Sequence, residues 1–450
     1  MFARCGMRSY TSRKTMSDLF HEQLQALRAQ SLHRKLREIG TAQGPEVQMV
    51  GKQLVNFSSN DYLGLANDPL LRDAATAAIA EFGVGAGASR LISGTQSPHV
   101  RLEAALARWK GAPAALAFSS GYAAAVGTIP ALVGKRDVIF LDKLAHPALI
   151  DAAKLSGATI RVFPHNHLGK LESHLEWARQ EHADGRLLIV TESIFSVDGD
   201  RAPLRELVGL KKRFSAMLLL DEAHAIGVVG MNGRGLAHEL GLTRHVDVQI
   251  GTLGKAMGVS GGYVCGSRSL IEWLVNRARS FIFSTAPPPL LAAAATAAIE
   301  FLESEAGEER RLLLWRNIEV LRQALPMVAP GSPPPTKPTA AVLPKRDARA
   351  VLKNLLSHAR PSRTAPAELA NPAPGQTGSA IHSLIIGDEQ EAIDLSQSLQ
   401  AEGFLVPAVR YPTVAKGAAR LRINVTAAHG EKQIRALAGA ISRLRPEAST

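Results

Sequence analysis

A single lysine, Lys255, lies in a glycine-rich stretch that could bring a reactive amine close to a bulky ligand. The stretch runs from residue 245 to residue 268 and reads HVDVQIGTLGKAMGVSGGYVCGSR. Glycines on both sides of the lysine let the backbone approach a large group closely. An amine in that position can form a Schiff base with an aldehyde cofactor; the alternative is an ordinary solvated lysine on a flexible loop. A phosphate-binding P-loop is excluded, because it requires Ser or Thr directly after the lysine and Ala256 stands there.

A carboxylate at the end of an apolar run is the second group that could do chemistry. Asp221 directly follows Leu218, Leu219 and Leu220, which predict a buried strand. An ionised carboxylate there is costly unless it meets a positive charge, and a protonated pyridine nitrogen would provide one. Keeping that nitrogen protonated makes the ring an electron sink. The alternative is that Asp221 only caps the helix that follows.

Further polar residues follow the ends of predicted strands, where α/β sheets bind their ligands. Gly121 and Tyr122 open an alanine-rich helix, whose first N–H groups would hold a phosphate. Thr252, three residues before the lysine, offers a second phosphate contact. His146, in LDKLAHP, could stack on a flat cofactor ring, although a lone histidine is more often structural.

The stretch TESIFSVDGD adds Glu192 and Ser196 after another predicted strand. Ser196 and His224 could hydrogen-bond a phenolic oxygen of the ring. His165 and His167 suggest a metal site, but no third ligand follows at a useful spacing, so no metal is predicted.

Composition bounds the class of protein. The chain has 450 residues, of which 46% are hydrophobic and 20% charged, enough for a large catalytic domain and a smaller one. No run reaches the ~18 apolar residues of a membrane span. Cys5 and Cys265 lie far apart and suit a reduced, intracellular enzyme. The net charge of +12 is dispersed without a basic stripe, so we expect no nucleic-acid partner and favour an acidic protein or an anionic substrate.

The first fifteen residues contain four basic residues and no acidic one, which is typical of a mitochondrial presequence. The alternative, which we favour, is an over-extended start, with translation from Met16 and a cytoplasmic enzyme.

Helices and apolar strands alternate through the middle of the chain. The predicted strands are 114–118, 138–141, 159–163, 187–191, 217–220, 246–250 and 262–265, and predicted helices include 16–40, 67–82 and 290–305. Near-continuous apolar strands indicate burial on both faces, hence an α/β domain with a mainly parallel, seven-stranded sheet. We expect a tail at 1–15, an N-terminal segment at 16–58, a large domain at 59–300 and a small α+β domain at 301–450, with exposed loops at 330–338 and 360–378.

Taken together, several blocks resemble the α-oxoamine synthases, enzymes of fold type I that use pyridoxal 5′-phosphate (PLP). The resemblance runs from about residue 30 to residue 440, and its blocks are FSSNDYLGL, GAGASRLISGT, FSSGYAAA, LDKLAHPALIDAAKLSGA, TESIFSVDGD, LLLDEAHAIGVVG, GRG, GTLGKAMGVSGGYV, FSTAPPP and RYPTVAKGAARLRINVTAAH. Ala125 stands where the family often has Asn, Pro147 where it often has Ala, and the loop from 345 to 378 matches poorly.

The resemblance implies a role for each site residue. Lys255 would be the Schiff-base lysine, Asp221 the partner of the ring nitrogen and His146 the residue stacked on the ring. The other implied cofactor contacts are Ser196 and His224 at the phenolic oxygen, Gly121, Tyr122 and Thr252 at the phosphate, Ser284 and Thr285 reaching across a homodimer interface, and Glu192, for which no position is implied. We expect Arg422 to bind an amino acid carboxylate through a bidentate fork, and Arg410, Thr413 and Arg34 or Arg37 to meet the acyl chain or its far carboxylate.

Within the family, the blocks are most similar to members that condense L-alanine with a pimeloyl thioester and release CO2 in biotin synthesis. The acyl donor, coenzyme A or acyl carrier protein, stays open. The alternatives are a glycine-using member of the same family, an aminotransferase, and a binding protein on an inactive scaffold. The intact set of Lys255, Asp221, His146 and His224 argues against the last of these.

Overall fold

The computed structural model describes residues 15–325 and 378–445, and its architecture alternates helices with strands. The strands are β1 Glu46–Met49, β2 Lys52–Asn56, β3 Ala114–Phe118, β4 Val138–Asp142, β5 Thr159–Phe163, β6 Leu187–Glu192, β7 Met217–Asp221, β8 Val248–Thr252, β9 Gly262–Gly266, β10 Ile381–Gly387, β11 Phe404–Leu405, β12 Ala408–Val409 and β13 Ala419–Asn424. The helices are α1 Met16–Ala29, α2 Pro69–Phe82, α3 Ser97–Lys110, α4 Gly121–Leu132, α5 Pro147–Ser156, α6 Leu168–Glu181, α7 Leu204–Arg213, α8 Leu236–Glu239, α9 Arg268–Arg277, α10 Arg279–Ile282, α11 Pro289–Glu303, α12 Glu305–Ala324, α13 Glu389–Ala401 and α14 Glu431–Leu444.

A seven-stranded sheet, in the order β3-β9-β8-β7-β6-β4-β5, forms the centre of the fold. Its strands run parallel except β9, which is antiparallel to both β3 and β8. Leu218 and Leu220 of β7 point into one hydrophobic core, and Leu219 between them points into the other. Helices cover both faces, which explains why the strands are apolar along their whole length. The predicted fold class is confirmed.

Two small sheets involve the C-terminal part of the chain. β10, β13 and β12 form one antiparallel sheet. β1 and β2 form a hairpin, and β11 adds to it in parallel. Phe57, at the end of this hairpin, packs in one core with Leu321, Ile423 and Ile441. The N-terminal strands and the C-terminal helices therefore share one hydrophobic core.

Several predicted boundaries are wrong. The helix expected at 16–40 ends at Ala29, because Ser31 takes a left-handed conformation (φ 56°) and its hydroxyl donates to Gln390. The helix expected at 290–305 ends at Glu303, since Ser304 caps α12. The strand expected from residue 246 begins at Val248.

Some predictions concern residues that the structure does not describe. The presequence-like residues 1–14, the loop at 330–338 and nearly all of the loop at 360–378 are not described. In the described part of the chain, no helix is long and apolar enough to span a membrane.

Candidate active site

The carboxyl ends of the parallel strands meet at one edge of the large sheet and carry the predicted polar residues there. Glu192 ends β6 and Asp221 ends β7, and the two are paired in register on neighbouring strands. Burial raises the pKa of Glu192 well above its usual range, and the charge of Asp221 adds to this effect. Two adjacent buried carboxyl groups do not both ionise readily, so the protonated form is favoured at Glu192.

The loop that carries Lys255 is tightly folded against the segment around Leu65. Leu253 donates to the carbonyl of Gly261, and Gly258 donates to that of Lys255. Gly258 has a φ of +67°, and a Cβ there would lie 2.5 Å from the backbone of Leu65 and Ala66. Only glycine fits such an approach, which explains the glycines around the lysine.

The amine of Lys255 lies against a neutral imidazole. Its Nζ is 2.9 Å from Nε2 of His224. Burial lowers the pKa of Lys255 to about 8, although the charge of Asp221 opposes this shift. Burial also lowers the pKa of His224 well below its usual value, and the nearby Lys255 lowers it further. The site therefore favours an unprotonated imidazole and a lysine that loses its proton more easily than usual.

Two residues behind His224 had no role assigned from the sequence. The hydroxyl of Tyr62, which is fully buried, lies 2.7 Å from Nδ1 of His224. Asn60 Oδ1 lies 3.3 Å from the same hydroxyl and accepts a hydrogen bond from Nη1 of Arg422 at 3.0 Å. The chain Lys255–His224–Tyr62–Asn60–Arg422 thus joins the reactive amine to the arginine expected to bind substrate. Asn60 and Tyr62 lie in the block FSSNDYLGL, but the sequence of that block does not show which residues they contact.

His146 and Asp221 complete the polar cluster. His146 caps α5, since its Nδ1 accepts from the N–H of Ala148, and this bond assigns the ring proton to Nε2. Burial lowers the pKa of His146 and raises that of Asp221. The carboxylate of Asp221 accepts from the N–H of Ala223 at 2.9 Å, which holds it in place. A positive group bound beside it would favour its ionised form.

The expected phosphate contacts come together from two elements. Ser120 caps α4, and Gly121 and Tyr122 occupy the first turn, whose N–H groups lack intrahelical acceptors. A Cβ at Gly121 would lie 3.4 Å from Cβ of Thr252, so the two predicted contacts are neighbours. Gly262 permits this arrangement, because a Cβ there would lie 2.4 Å from the backbone of Ser120.

The groups at this site match those that PLP would need. The residues present a helix N-terminus for a phosphate, a carboxylate for a ring nitrogen and an amine for an aldehyde. Oε1 of Glu192 is buried without a hydrogen-bond partner among the described residues, as expected beside a site meant to hold another polar group. No group of His, Cys, Asp or Glu in the described ranges could hold a metal ion.

Some predicted residues lie apart from this cluster. Thr285 forms a short antiparallel bridge with Ser89, and Ser284 beside it is half-buried. Arg410 donates to the carbonyl of His33, and its charge lies near those of Arg34 and Arg37, which together with burial lower its pKa. Thr413 follows in the same turn, with its N–H bonded to the carbonyl of Arg410. Arg410, Arg34 and Arg37 therefore form a basic group of their own.

Comparison with known proteins defines the class. The family model for aminotransferase class I and II matches residues 52–441. An 8-amino-7-oxononanoate synthase of Geobacter sulfurreducens is 40% identical over 425 residues, covering 94% of this chain and 97% of that protein. Among solved structures, serine palmitoyltransferase from S. paucimobilis, with a PLP adduct bound, is 28% identical and matches with a TM-score of 0.80, covering 97% of this chain and 99% of that one. The 8-amino-7-oxononanoate synthase from Francisella tularensis is 26% identical, with a TM-score of 0.65 over 87% of this chain and 97% of that one.

The chain therefore belongs to the aminotransferase class I and II family. Within that family its relatives at 40% identity are 8-amino-7-oxononanoate synthases, and it is a member of their group. This membership confirms three expectations drawn from the sequence: fold type I, PLP as the cofactor and an acyltransferase activity.

Proposed function

We propose that this protein condenses L-alanine with a pimeloyl thioester, releasing CO2 and the free thiol and forming 8-amino-7-oxononanoate for biotin synthesis. The observation that carries the proposal is the buried amine of Lys255, held 2.9 Å from the neutral ring of His224 beside Asp221. The choice of substrates rests on the names of the relatives at 40% identity.

The residues at the sheet edge would hold PLP. When bound, PLP supplies an aldehyde for the amino group and a ring that withdraws electrons from the neighbouring carbon. The first-turn amides of Gly121 and Tyr122, with Thr252, would bind its phosphate. Asp221 would pair with the ring nitrogen. The other ring contacts would be His146 on one face, Ser196 and His224 at the phenolic oxygen, and Glu192 beside them.

Lys255 would move the proton at the α-carbon of alanine. A base works best when its pKa lies near the working pH, and burial brings the pKa of Lys255 down to about 8. His224 accepts from or donates to the amine without adding a charge, and Tyr62 fixes the orientation of its ring. The same amine can return a proton after CO2 has left.

Arg422 would bind the carboxylate of alanine. Its Nε donates to the carbonyl of Ser196 at 2.7 Å, and its Nη1 donates to Asn60. These two bonds orient the guanidinium plane, which carries further N–H donors suited to a carboxylate. The arginine therefore positions the amino acid with respect to the lysine, because both are tied to the same hydrogen-bonded chain.

The basic group around Arg410 would meet the acyl donor. Three guanidinium groups placed near one another repel, so an anion between them is favoured. We infer that Arg410, Thr413 and Arg34 contact the acyl chain or its far carboxylate, and that the donor is carried by coenzyme A or by an acyl carrier protein. We further infer a homodimer in which Ser284 and Thr285 reach the partner's phosphate site.

A panel assay tests this function. The purified protein is incubated with L-alanine, glycine or L-serine and with pimeloyl, acetyl, succinyl or palmitoyl thioesters, and CO2 and free thiol are measured. L-alanine with the pimeloyl thioester should give the highest kcat/KM. A higher value with glycine would assign the protein to another α-oxoamine synthase activity, and amino-group transfer without CO2 would assign it to the aminotransferases.

A further inference from the structure

We propose that His165 is a positioning residue that, as an imidazolium ion, joins the loop leading to His146 with the loop carrying Ser196. The roles of His146 and Ser196 toward the cofactor rest on the function proposed above. The connection between the two loops rests on the structure alone. Hydrogen–deuterium exchange tests that connection independently of the proposed function.

Each ring nitrogen of His165 faces a carboxylate, one at the end of β4 and the other in the loop that contains Ser196. Nδ1 lies 3.0 Å from Oδ1 of Asp142, and Nε2 lies 2.7 Å from Oδ2 of Asp200. A neutral imidazole donates from one nitrogen only, so two carboxylate partners require the protonated ring. Burial opposes this charge, but the hydrogen bonds to the two carboxylates and their charges outweigh it and raise the pKa of His165 to about 10.

The first carboxylate shapes the turn that ends at His146. Asp142 is the last residue of β4, and its side chain is fully buried. Its Oδ1 also accepts from the N–H of Leu144 at 2.8 Å, and its Oδ2 accepts from the N–H of Asn166 at 2.9 Å. His146 follows two residues after Leu144 and immediately precedes α5. Movement of this carboxylate would therefore shift the ring of His146.

The second carboxylate belongs to Asp200, whose backbone carbonyl closes the loop that contains Ser196. The carbonyl of Asp200 accepts from the N–H of Phe195, and the N–H of Gly199 donates to the carbonyl of Phe195, both at 2.9 Å. The ring of Phe195 packs edge-on against His165, with centroids 4.3 Å apart and planes at 88°. Ser196 follows directly, and its carbonyl receives the hydrogen bond of Arg422. The imidazolium thus supports the loop through both a carboxylate and an aromatic contact.

A neutral side chain at position 165 would leave both carboxylates without the cation that they share. Removing one member of a buried ionic group leaves the other charges uncompensated, and like charges then repel. Asp142 ends β4 and Asp200 lies in the loop of Ser196, so their repulsion would separate the turn before His146 from that loop. Misplacement of reacting groups by about 1 Å can lower a rate about 100-fold.

Hydrogen–deuterium exchange of the full-length, PLP-loaded protein tests the connection without depending on any reaction. His165→Gln should raise exchange in both segments 143–148 and 193–200, and Asp200→Asn should raise it in 193–200 only. His167→Gln is the matched control, since His167 is exposed and caps α6 by accepting from the N–H of Lys170. It should change neither segment.

Kinetics then tests the positioning role. His165→Gln should lower kcat with the preferred substrates about tenfold or more while changing the KM for L-alanine little, and it should alter the visible circular dichroism of the bound cofactor. Unchanged exchange in either segment of a folded His165→Gln protein would overturn the proposal. If that variant does not fold, Asp200→Asn decides, and unchanged exchange in 193–200 would overturn it. If the wild-type protein does not perform the reaction, the exchange results still stand as the test of this connection.

Discussion

The amine of Lys255 lies 2.9 Å from Nε2 of His224, and Nδ1 of the same ring lies 2.7 Å from the hydroxyl of Tyr62. A neutral imidazole therefore connects a buried amine to a buried phenol. Burial raises the pKa of Tyr62 and lowers that of His224, so both stay uncharged near neutral pH. This arrangement orients the amine without adding a second positive charge, which would hinder the loss of its proton.

Replacing the lysine should remove both the covalent link to the cofactor and the base. We expect Lys255→Ala to lower kcat by roughly 10³-fold or more. Borohydride reduction followed by mass spectrometry should no longer find cofactor attached to the chain. The exposed Lys432→Ala serves as the control, with unchanged turnover and labelling. Appreciable turnover by the Lys255 variant would show that another residue carries the chemistry.

The lowered pKa of Lys255 predicts how the apoprotein captures PLP. Only the neutral amine attacks an aldehyde, so the capture rate should rise with pH and level off above a midpoint of about 8. Asp221 raises the pKa of Lys255, so Asp221→Asn should move the midpoint to lower pH. Stopped-flow absorbance across a pH series measures both midpoints. A midpoint that moves upward in the variant would contradict the assigned electrostatics.

Removing the hydroxyl of Tyr62 should disorient His224. Tyr62→Phe leaves Nδ1 of a buried ring without its partner, which should cost about 1–3 kcal/mol of unfolding free energy and lower kcat more than it raises KM. Denaturant titration and steady-state kinetics provide the two readouts. Tyr263→Phe is a matched control, because the Tyr263 hydroxyl is equally buried and has no hydrogen-bond partner among the described residues. Similar losses in both variants would exclude a specific role for Tyr62.

Arg422 is expected to recognise the amino acid rather than the cofactor. Arg422→Lys keeps the charge but loses the planar fork and its bonds to Ser196 and Asn60, so the KM for L-alanine should rise about tenfold or more. The affinity for PLP should change much less. Steady-state kinetics and cofactor titration measure these effects, with the exposed Arg435→Lys as the control. A larger effect on PLP affinity than on KM would move Arg422 to the cofactor site.

A buried ion pair beside the site should matter for stability. Nζ of Lys110 lies 2.5 Å from Glu222, both side chains are almost completely buried, and Glu222 also accepts from the N–H of Ala237. Lys110→Met leaves that carboxylate uncompensated next to Asp221, which should lower the unfolding free energy by about 3–5 kcal/mol. Adding Glu222→Leu should recover much of this loss. Chemical denaturation of the single and double variants measures the difference, and a double variant less stable than Lys110→Met would contradict the explanation.

The chain's local patterns were sufficient for the central sheet and for the type of chemistry. Every strand of the large sheet was predicted within two residues of its bounds, because a strand buried on both faces must be apolar along its length. Lys255 and Asp221 stood out for a similar reason. Close backbone approach requires glycine, and a charged residue after a buried strand requires a partner. Both requirements concern residues that are close in sequence, so the sequence pattern alone is enough to indicate them.

Tertiary structure alone decided the contacts that orient these groups. Tyr62 and His224 are 162 residues apart, and nothing in either local sequence indicates that they meet. His165 and His167 are two residues apart and have different surroundings. His165 lies between Asp142 and Asp200, whereas His167 caps α6. Hydrogen bonds between distant segments depend on how helices and strands pack. That packing sets distances to a fraction of an ångström, and no periodicity in the sequence records it.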